Sequence, residues 1–252
     1  TGEPVHVAAA ATDPRFGPSV APDDRFGSVT VVPVRSSVPG QTLAVVALFG
    51  PSPSSTTLHP AVRAAALSLI VVAIDRDRDL RRLAHQATHD PLTDVGNRAG
   101  LLDRLHLALA RARRTDRHVA VLFCDLDGFK AVNDRFGHDA GDRMLVEVAA
   151  RIGGAVRPSD TVARTGGDEF VVVCDDLDDP AQAQAIADRV TEAVEGTPVR
   201  LGDLDLQVAI SVGIALADAV LDHPDRLLHA ADLAMYRAKE EGRGRDAPGA
   251  DR

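Results

Sequence analysis

Three features that many proteins have are missing from this chain: an excess of basic charge, a set of cysteines for a disulfide framework, and a long apolar run. Its formal charge of −9 argues against a nucleic-acid or anionic-membrane surface, since either needs a basic patch. Its two cysteines, Cys124 and Cys174, lie in apolar strand-like runs, which favours buried free thiols and a reducing cytoplasm. The longest apolar run, residues 61–74, spans about fourteen residues and includes Arg63, whereas a transmembrane helix needs about 20. With no secretory signal either, we expect a cytoplasmic protein that neither inserts directly into a membrane nor binds nucleic acid.

The length and composition are those of a folded protein. At 252 residues with 45% hydrophobic residues, the chain suits one large domain or two small ones. It begins at Thr1 rather than at a methionine, and we expect it to derive from a longer protein.

Residues 161–175, TVARTGGDEFVVVCD, carry the most informative pattern. Two strand-like runs flank a pair of glycines, which predicts a β-hairpin with a tight turn. Asp168 and Glu169 directly follow Gly166 and Gly167, so two carboxylates stand at a bend where a phosphate group can approach the backbone closely. Two carboxylates about 4 Å apart repel by about 4 kcal/mol at an effective dielectric near 20, which favours a cation between them. Acids for a metal and glycines for a phosphate indicate a nucleotide site; the alternative is an ordinary solvated turn, in which Gly and Asp are common.

The region before residue 89 is predicted to hold two strands and a long helix. Residues 1–27 are predicted as loop, Ser28–Arg35 and Gln41–Phe49 as strands, residues 50–57 as a turn, and Leu58–Thr88 as a helix. Apolar residues recur every seven positions in this helix, which favours a short parallel coiled coil, although a helix packed on its own domain would show the same pattern. These residues are Val62, Leu69 and Leu83 in one row and Ala66, Ala73, Leu80 and Ala87 in another.

From residue 89 onward the order is a helix, a strand, two helices, a hairpin, a helix, two strands and a final helix. The predicted bounds are Asn97–Arg114, Val119–Cys124, Phe129–Phe136, a helix starting near Asp139, Thr161–Arg164, Phe170–Cys174, Ala181–Glu195, Pro198–Leu201, Leu204–Leu216 and Pro224–Gly242. The first strand is apolar throughout, as expected of a strand buried on both faces, and it leads into Asp125-Leu126-Asp127. We therefore predict an α+β fold in which helices pack around one sheet with a ferredoxin-like core.

Four separated motifs occur in a fixed order. They are Asp90-Pro91-Leu92-Thr93 with Asn97-Arg98; Asp125-Leu126-Asp127-Gly128-Phe129-Lys130 with Asn133-Asp134 and Gly137-His138-Asp139-Ala140-Gly141-Asp142; Arg164-Thr165-Gly166-Gly167-Asp168-Glu169-Phe170; and Ala238-Lys239-Glu240-Glu241-Gly242-Arg243. In this order and spacing they resemble the GGDEF family of diguanylate cyclases, over roughly residues 85–245. Upstream, the two strands and the exit helix resemble the C-terminal part of a GAF sensory domain. The resemblances imply a partial GAF-like segment at 1–57, a connecting helix at 58–88, a GGDEF catalytic domain at 89–245 and a tail at 246–252.

The resemblance to the GGDEF family implies that two GTP molecules condense to cyclic di-GMP with loss of two pyrophosphates, one GTP being held by each domain of a homodimer. A ribose 3′-hydroxyl attacks an α-phosphorus, so the protein mainly positions groups and neutralises charge. Asp125, the Leu126 carbonyl and Asp168 match the family's metal ligands, with Glu169 as a further one, and such oxygens suit Mg²⁺ or Mn²⁺. Asp168 is also the candidate proton acceptor, and Lys130 matches a catalytic phosphate contact. For Glu169 the alternative is a salt bridge beneath the turn.

The same resemblance implies contacts to the substrate. Asn133 and Asp142 match the guanine-reading positions: Asp can accept from guanine N1–H and N2–H₂, and Asn can donate to N3 or O6. Both lie near predicted helix ends, so helix capping is the alternative. His138 matches a substrate-site position, and a hydrogen-bonded structural imidazole is as good an interpretation. Lys239 and Arg243 match phosphate contacts; the alternative for Lys239 is a solvated last helical turn.

Arg157-Pro158-Ser159-Asp160 lies at the offset of the family's RxxD inhibitory site. There Arg157 and Asp160 would bind the cyclic di-GMP product, with Arg189 as a second arginine. Two departures stand out: Asp94 and Gly96 occur where the family usually has Gly-Leu-Pro, and residues 244–252 lack the usual final strand.

The leading hypothesis is therefore an active, product-inhibited diguanylate cyclase. The rival is a catalytically silent GGDEF domain that acts as a receptor for GTP or cyclic di-GMP. Retention of Asp125, Asp168, Glu169 and Lys130 favours catalysis, and Asp142 disfavours a cyclase with relaxed base choice.

Overall fold

The structure, a computed structural model, describes residues 5–7, 28–35, 42–50, 60–115, 117–201, 204–218 and 220–245. The chain divides into two compact units, residues 1–83 and 84–252. Within the described ranges, no helix combines the length and the apolar character that crossing a bilayer requires.

The first unit contains an antiparallel sheet with the strand order β1-β2-β3. Strands β2, Ser28–Arg35, and β3, Thr42–Gly50, agree with the two predicted strands. The loop expected over residues 1–27 is wrong at β1, Val5–Val7, whose first residue pairs with Val31 of β2. Three residues are too few to show strand alternation, and backbone hydrogen bonds to a neighbouring strand stabilise such a segment whatever its side chains. The turn predicted over residues 50–57 is wrong at Gly50, which ends β3, and its other residues, 51–57, lie outside the described residues.

Helix α1, Pro60–Thr88, agrees with the predicted long helix. Several residues of its seven-residue rows are largely exposed: Val62 is 53%, Leu69 70%, Leu80 57% and Leu83 61% accessible. Their exposure shows that the residues described by the structure do not pack over these positions, which disfavours the alternative of a helix packed on its own domain and leaves apolar surface for a partner.

The second unit is built on a four-stranded antiparallel sheet with the order β5-β6-β4-β9. Its strands are β4 His118–Asp127, β5 Thr161–Arg164, β6 Glu169–Leu177 and β9 Ala209–Leu216. Around it lie α2 Arg98–Thr115, α3 Phe129–Phe136, α4 His138–Ala155, α5 Ala181–Glu195 and α6 Pro224–Arg245. Helices connect β4 to the β5–β6 hairpin and the hairpin to β9. The predicted α+β fold with a ferredoxin-like core is therefore confirmed.

One predicted strand is divided in two. In place of a single strand over Leu204–Leu216, β8 (Leu204–Leu206) pairs with β7 (Val199–Leu201), whereas β9 starts at Ala209 and pairs with β4. The chain thus changes sheets at residues 207–208, where an unbroken alternation of apolar residues concealed the break.

Strand β4 is buried on both faces, as predicted, and its alternate residues belong to two hydrophobic clusters. Ala120, Leu122 and Cys124 pack with residues of α4 and α5, while Val119 and Val121 pack with residues of α2 and α6. Because side chains alternate along a strand, Asp125 and Asp127 continue the second face at the carboxyl end of β4. Both cysteines are free and buried, as expected.

Helix α6 lies directly on β9 at Gly213. Any Cβ at this position would overlap the backbone of Ala231 and Met235, so only glycine permits the contact. This packing places the following turns of α6, which carry Lys239, over the acidic end of β4.

Candidate active site

The turn of the β5–β6 hairpin lies against the carboxyl end of β4. The Thr165 N–H donates to the Glu169 carbonyl at 3.1 Å, which closes the turn, and the Leu126 N–H donates to the Asp168 carbonyl at 3.3 Å. Asp125 stands directly opposite Glu169 in the β4–β6 ladder. Backbone pairing therefore brings the acids of the strand end and the acids of the turn together.

The carboxylates at this junction interact unfavourably with one another. Burial raises the pKa of Asp168, and the Asp125 carboxylate raises it further. Burial likewise raises the pKa of Glu169, as do Asp125, Asp168 and Asp232, while the Arg98 guanidinium opposes them. Carboxylates that destabilise each other's charge favour a proton or a cation between them. Among the described residues, however, no three His, Cys, Asp or Glu side chains are already gathered around one point as a metal cage would be.

The two glycines of the turn differ in their surroundings. A Cβ at Gly167 would meet nothing within 4 Å, so the space over this residue is open. A Cβ at Gly166 would lie 2.6 Å from the Glu169 Oε2, so Gly166 makes room for the Glu169 side chain. A ligand can therefore approach the backbone closely at Gly167, whereas the Glu169 side chain occupies the corresponding space at Gly166.

Lys239 reaches the acidic end of β4 from α6. Its Nζ forms an ion pair with Asp125 and lies 3.5 Å from the Asp127 Oδ1. Burial tends to lower the pKa of Lys239, but hydrogen bonds and charge from Asp125 and Asp127 outweigh it and raise the pKa. The Lys239 ammonium is therefore fixed at the site by two carboxylates, which disfavours the alternative of a solvated helical turn.

Asp127 is itself held by β9, a contact that the sequence did not reveal. The Ser211 hydroxyl donates to the Asp127 Oδ2 at 2.8 Å. Ser211 is a buried polar residue, 9% exposed.

Arg164 is a second residue whose role was missed. Its guanidinium donates to the Gly167 carbonyl at 3.2 Å and 2.8 Å and to the Asp90 Oδ1 at 3.1 Å. The same Asp90 oxygen accepts from the Thr93 N–H at 2.9 Å and the Thr93 hydroxyl at 2.7 Å. Burial opposes the charge on Asp90, but the hydrogen bonds from Thr93 and Arg164 prevail and lower its pKa. The Asp90–Arg164 pair therefore ties the acidic turn to the loop before α2.

The residues predicted to read guanine lie on α3 and α4. The Asn133 side chain packs against Gly141, where a Cβ would overlap its Oδ1. Asp142 lines a cavity of about 330 Å³. The other lining residues are Leu92, Arg143, Val146, Glu147, Val199 and Arg200. Glycines bound both ends of α3, and no side-chain cap hydrogen bond forms there or at the start of α4, which disfavours capping as the role of Asn133 and Asp142.

Other predicted site residues are less constrained. Lys130 and His138 lie exposed on α3 and at the start of α4. Arg243 belongs to α6, but the structure describes only its backbone. Glu169 forms no ion pair with any residue that the structure describes, although Arg98 is near enough to influence its charge. It lines a second cavity of about 330 Å³ with Arg98, Thr165, His229 and Asp232.

The RxxD segment forms a turn next to β5. The Asp160 N–H donates to the Arg157 carbonyl and the Arg157 N–H donates to the Asp160 Oδ2, each at 2.9 Å. Burial raises the pKa of Asp160, while hydrogen bonds from the backbone of Arg157 and Asp175 and the charges of Arg157 and Arg189 oppose it. Its Oδ1 is buried without a hydrogen-bond partner among the described atoms. The predicted second arginine, Arg189, is thus near Asp160.

Comparison with known proteins identifies the second unit. The family model described as diguanylate cyclase, GGDEF domain, matches residues 87–245. Diguanylate cyclase TpbB of Pseudomonas aeruginosa is 48% identical over 163 residues, which are 64% of this chain and 37% of that protein. The chain therefore corresponds to little more than a third of that curated relative's length.

Solved structures agree with this match. A sensory box/GGDEF family protein from Caulobacter crescentus superposes with a TM-score of 0.60 at 41% identity, over 62% of this chain and 100% of that one. The coiled coil and GGDEF domain of DgcB from the same bacterium, solved in complex with c-di-GMP, gives a TM-score of 0.63 at 26% identity, over 71% and 95%. The resemblance seen in the four motifs is confirmed, and the chain belongs to the GGDEF family.

Proposed function

We propose that the second unit is a diguanylate cyclase domain, which condenses two GTP molecules to cyclic di-GMP and two pyrophosphates. The observation that carries this proposal is the backbone pairing that sets Asp125 opposite Glu169 and next to the turn of Asp168, beside the open space over Gly167 and the ammonium of Lys239. Repelling carboxylates suit a cation, and an open glycine beside a cation suits a phosphate. The names of the relatives support the same reaction.

A divalent cation, Mg²⁺ or Mn²⁺, fits the chemistry of these donors. Asp125, the Leu126 carbonyl, Asp168 and Glu169 would hold it, because hard oxygen ligands are the ones such ions prefer. A bound ion would screen the phosphates and lower the pKa of the attacking 3′-hydroxyl. The raised pKa values of Asp168 and Glu169 support the fit, since burial and the neighbouring carboxylates disfavour their negative charge, which a bound cation would compensate.

The protein's own groups then have distinct roles. Asp168 accepts the proton of the 3′-hydroxyl, since it directly follows the open Gly167 in the turn. Lys130, Lys239 and Arg243 neutralise phosphate charge. Positioning and charge neutralisation of this kind account for most of the catalysis in phosphoryl transfer.

GTP is the proposed substrate because of the groups around Asp142. A carboxylate there accepts from guanine N1–H and N2–H₂, whereas adenine presents a lone pair at N1 and would be repelled. Leu92, Val146 and Val199 supply apolar surface in the cavity that Asp142 lines. Asn133, fixed against Gly141, adds a donor for the base, and His138 is a further candidate contact.

A homodimer follows from the reaction, since two GTP molecules must face each other. We propose that α1 joins the two copies as a parallel coiled coil, because its seven-residue rows are largely exposed. The proposed division of the chain is a partial GAF-like sensory segment at 1–57, the connecting helix at 58–88, the catalytic domain at 89–245 and a tail at 246–252. The coiled coil in the solved DgcB structure supports this arrangement.

Product inhibition is proposed for the Arg157–Asp160 turn. Arg157 is exposed, Asp160 carries a buried oxygen without a described partner, and Arg189 is close by. Arginine forks and a carboxylate are the groups that bind the phosphates and the guanine edge of cyclic di-GMP.

The test is to incubate the purified chain with GTP and Mg²⁺, separate the nucleotides, and repeat the reaction with ATP. Cyclic di-GMP from GTP alone supports the proposal. Tight binding of GTP or cyclic di-GMP without turnover would show a silent receptor instead. Equal use of ATP would contradict the role given to Asp142.

A further inference from the structure

We propose that Asp127 and Ser211 are positioning residues that hold Lys239 at the nucleotide site. The inference rests on the proposed function, in which the Lys239 ammonium contacts the triphosphate. Neither residue belongs to the set of ligands and readers derived above.

The geometry fixes the Asp127 carboxylate from two sides. Its Oδ2 accepts a hydrogen bond from the Ser211 hydroxyl at 2.8 Å, and its Oδ1 lies 3.5 Å from the Lys239 Nζ. Ser211 is buried in β9, directly opposite Asp125 in the β4–β9 ladder. Ser211 therefore sets the orientation of Asp127 from within the sheet, and Asp127 presents its other oxygen to the lysine.

Asp127 matters because Asp125 is shared between Lys239 and the proposed cation. Lys239 is paired with Asp125, yet Asp125 is also the proposed cation ligand. A cation bound to Asp125 would compete for its negative charge and repel the ammonium, so the Lys239–Asp125 pair would weaken, and Asp127 is the second anion that keeps Lys239 in place. A lysine on a flexible four-carbon stem would otherwise spread over many rotamers.

Ser211 makes this second contact effective. The Asp127 side chain is 34% exposed and Lys239 20%, so an isolated pair would be weak because of solvent screening and side-chain entropy. A hydrogen bond from a buried hydroxyl orders the carboxylate before the substrate arrives, which reduces the ordering that binding must supply.

The central test is Asp127→Asn, which keeps the shape and the acceptor for Ser211 but removes the charge. We expect the KM for GTP and the Kd for a non-hydrolysable GTP analogue to rise about fivefold, with kcat changed less than about twofold. Ser211→Ala should shift both constants in the same direction, about twofold. The double variant should match Asp127→Asn alone, because Ser211 acts through Asp127.

A Lys239→Met background separates positioning from a structural role. In that background Asp127→Asn should cause no further change in the analogue Kd, since the group that it positions is gone. The matched control is Asp188→Asn on α5, whose carboxylate accepts from Gln184 on the same helix and which should leave KM unchanged.

The outcomes distinguish this inference from the proposed function. Equal losses with and without Lys239, or an unchanged Kd for Asp127→Asn, would overturn the positioning role alone. A wild-type chain that binds no GTP analogue would overturn both this role and the proposed function.

Discussion

Two groups of carboxylates lie near the β5–β6 hairpin, and their surroundings shift their pKa values in opposite directions. Asp90 forms the supporting group, and Asp168 belongs to the reactive group at the turn. Asp90 receives three hydrogen bonds on one oxygen, from Thr93 and Arg164, and its pKa is lowered despite burial. Burial raises the pKa of Asp168, and a neighbouring carboxylate raises it further. The first arrangement stabilises the loop and the turn. The second leaves negative charge partly unsatisfied, as a site that binds a cation requires.

The same difference separates residues proposed to bind the substrate from residues that stabilise the turn. Arg164 connects the two sets, because the guanidinium that pairs with Asp90 also donates twice to the Gly167 carbonyl. The glycine turn can thus stay open above Gly167 while its backbone is held from below. Changes on the Asp90 side should therefore affect stability, and changes on the Asp168 side should affect chemistry.

The largest effect is expected from Asp168→Ala, which tests whether Asp168 serves chemistry rather than stability. Turnover of GTP should fall at least about 10³-fold, because the proposed proton acceptor and the proposed cation ligand are lost together. The melting temperature should stay the same or rise, since the substitution removes repulsion with Asp125. Activity assays and thermal unfolding of the same preparation check both halves. A large drop in melting temperature would mean that Asp168 supports the fold and that the two sets are not opposites.

Asp90→Asn should have the reverse effect. Losing the charge opposite Arg164 should cost about 1–2 kcal/mol of unfolding free energy, with solvent screening of this partly exposed pair taken into account. Turnover should decrease only through a looser turn, by less than about tenfold. Denaturant unfolding gives the free energy, and Asp103→Asn, at an exposed position of α2, serves as a control. If stability is unchanged, Arg164 must hold the turn without Asp90.

The local elements of this fold were readable from the sequence, whereas the contacts that connect them were not. Helix α3 was predicted to the residue, because Gly128 and Gly137, with φ of 72° and 83°, end it on both sides. The Asp90–Arg164 and Asp127–Ser211 contacts join residues 74 and 84 positions apart. Such pairs depend on strand order and register, which no local pattern specifies. The short strand Val5–Val7 was missed for a related reason, since its partner strand alone defines it.

A smaller effect should appear in the pH dependence of stability. A carboxylate with a raised pKa in the folded state binds protons that the unfolded chain has already released. Its penalty therefore grows as pH rises above the ordinary values of 3.8 for Asp168 and 4.5 for Glu169. Asp90 contributes in the opposite sense, and its stabilisation is lost as pH falls below its ordinary value of 3.8.

Adding Mg²⁺ should make the opposite contributions of Asp168 and Asp90 to stability measurable. The ion binds the deprotonated carboxylates, so it should raise the melting temperature by a few degrees at about pH 7 and by progressively less toward about pH 4. Melting curves with Mg²⁺ and with a chelator across this range provide the measurement. Asp168→Ala should reduce the increment and Asp90→Asn should not. An increment that is independent of pH would place the ion elsewhere.

The smallest change in stability is expected from a substitution at Asp94, in the same loop as the supporting Asp90. Asp94 has a φ of 61°, a left-handed conformation that costs an ordinary residue energy and costs glycine none. Its carboxylate gains something in return: the His85 ring lies 2.7 Å from the Asp94 Oδ1, and this contact lowers the pKa of Asp94. Asp94→Gly relieves the backbone and loses that exposed contact, so the two effects oppose each other. The melting temperature should change by less than about 2 °C, with no effect on turnover.

His85→Ala isolates the lost contact, because it removes the partner and keeps the backbone strain. If Asp94→Gly changes turnover while His85→Ala does not, the loop conformation itself influences the site, and the separation between supporting and reactive carboxylates is incomplete.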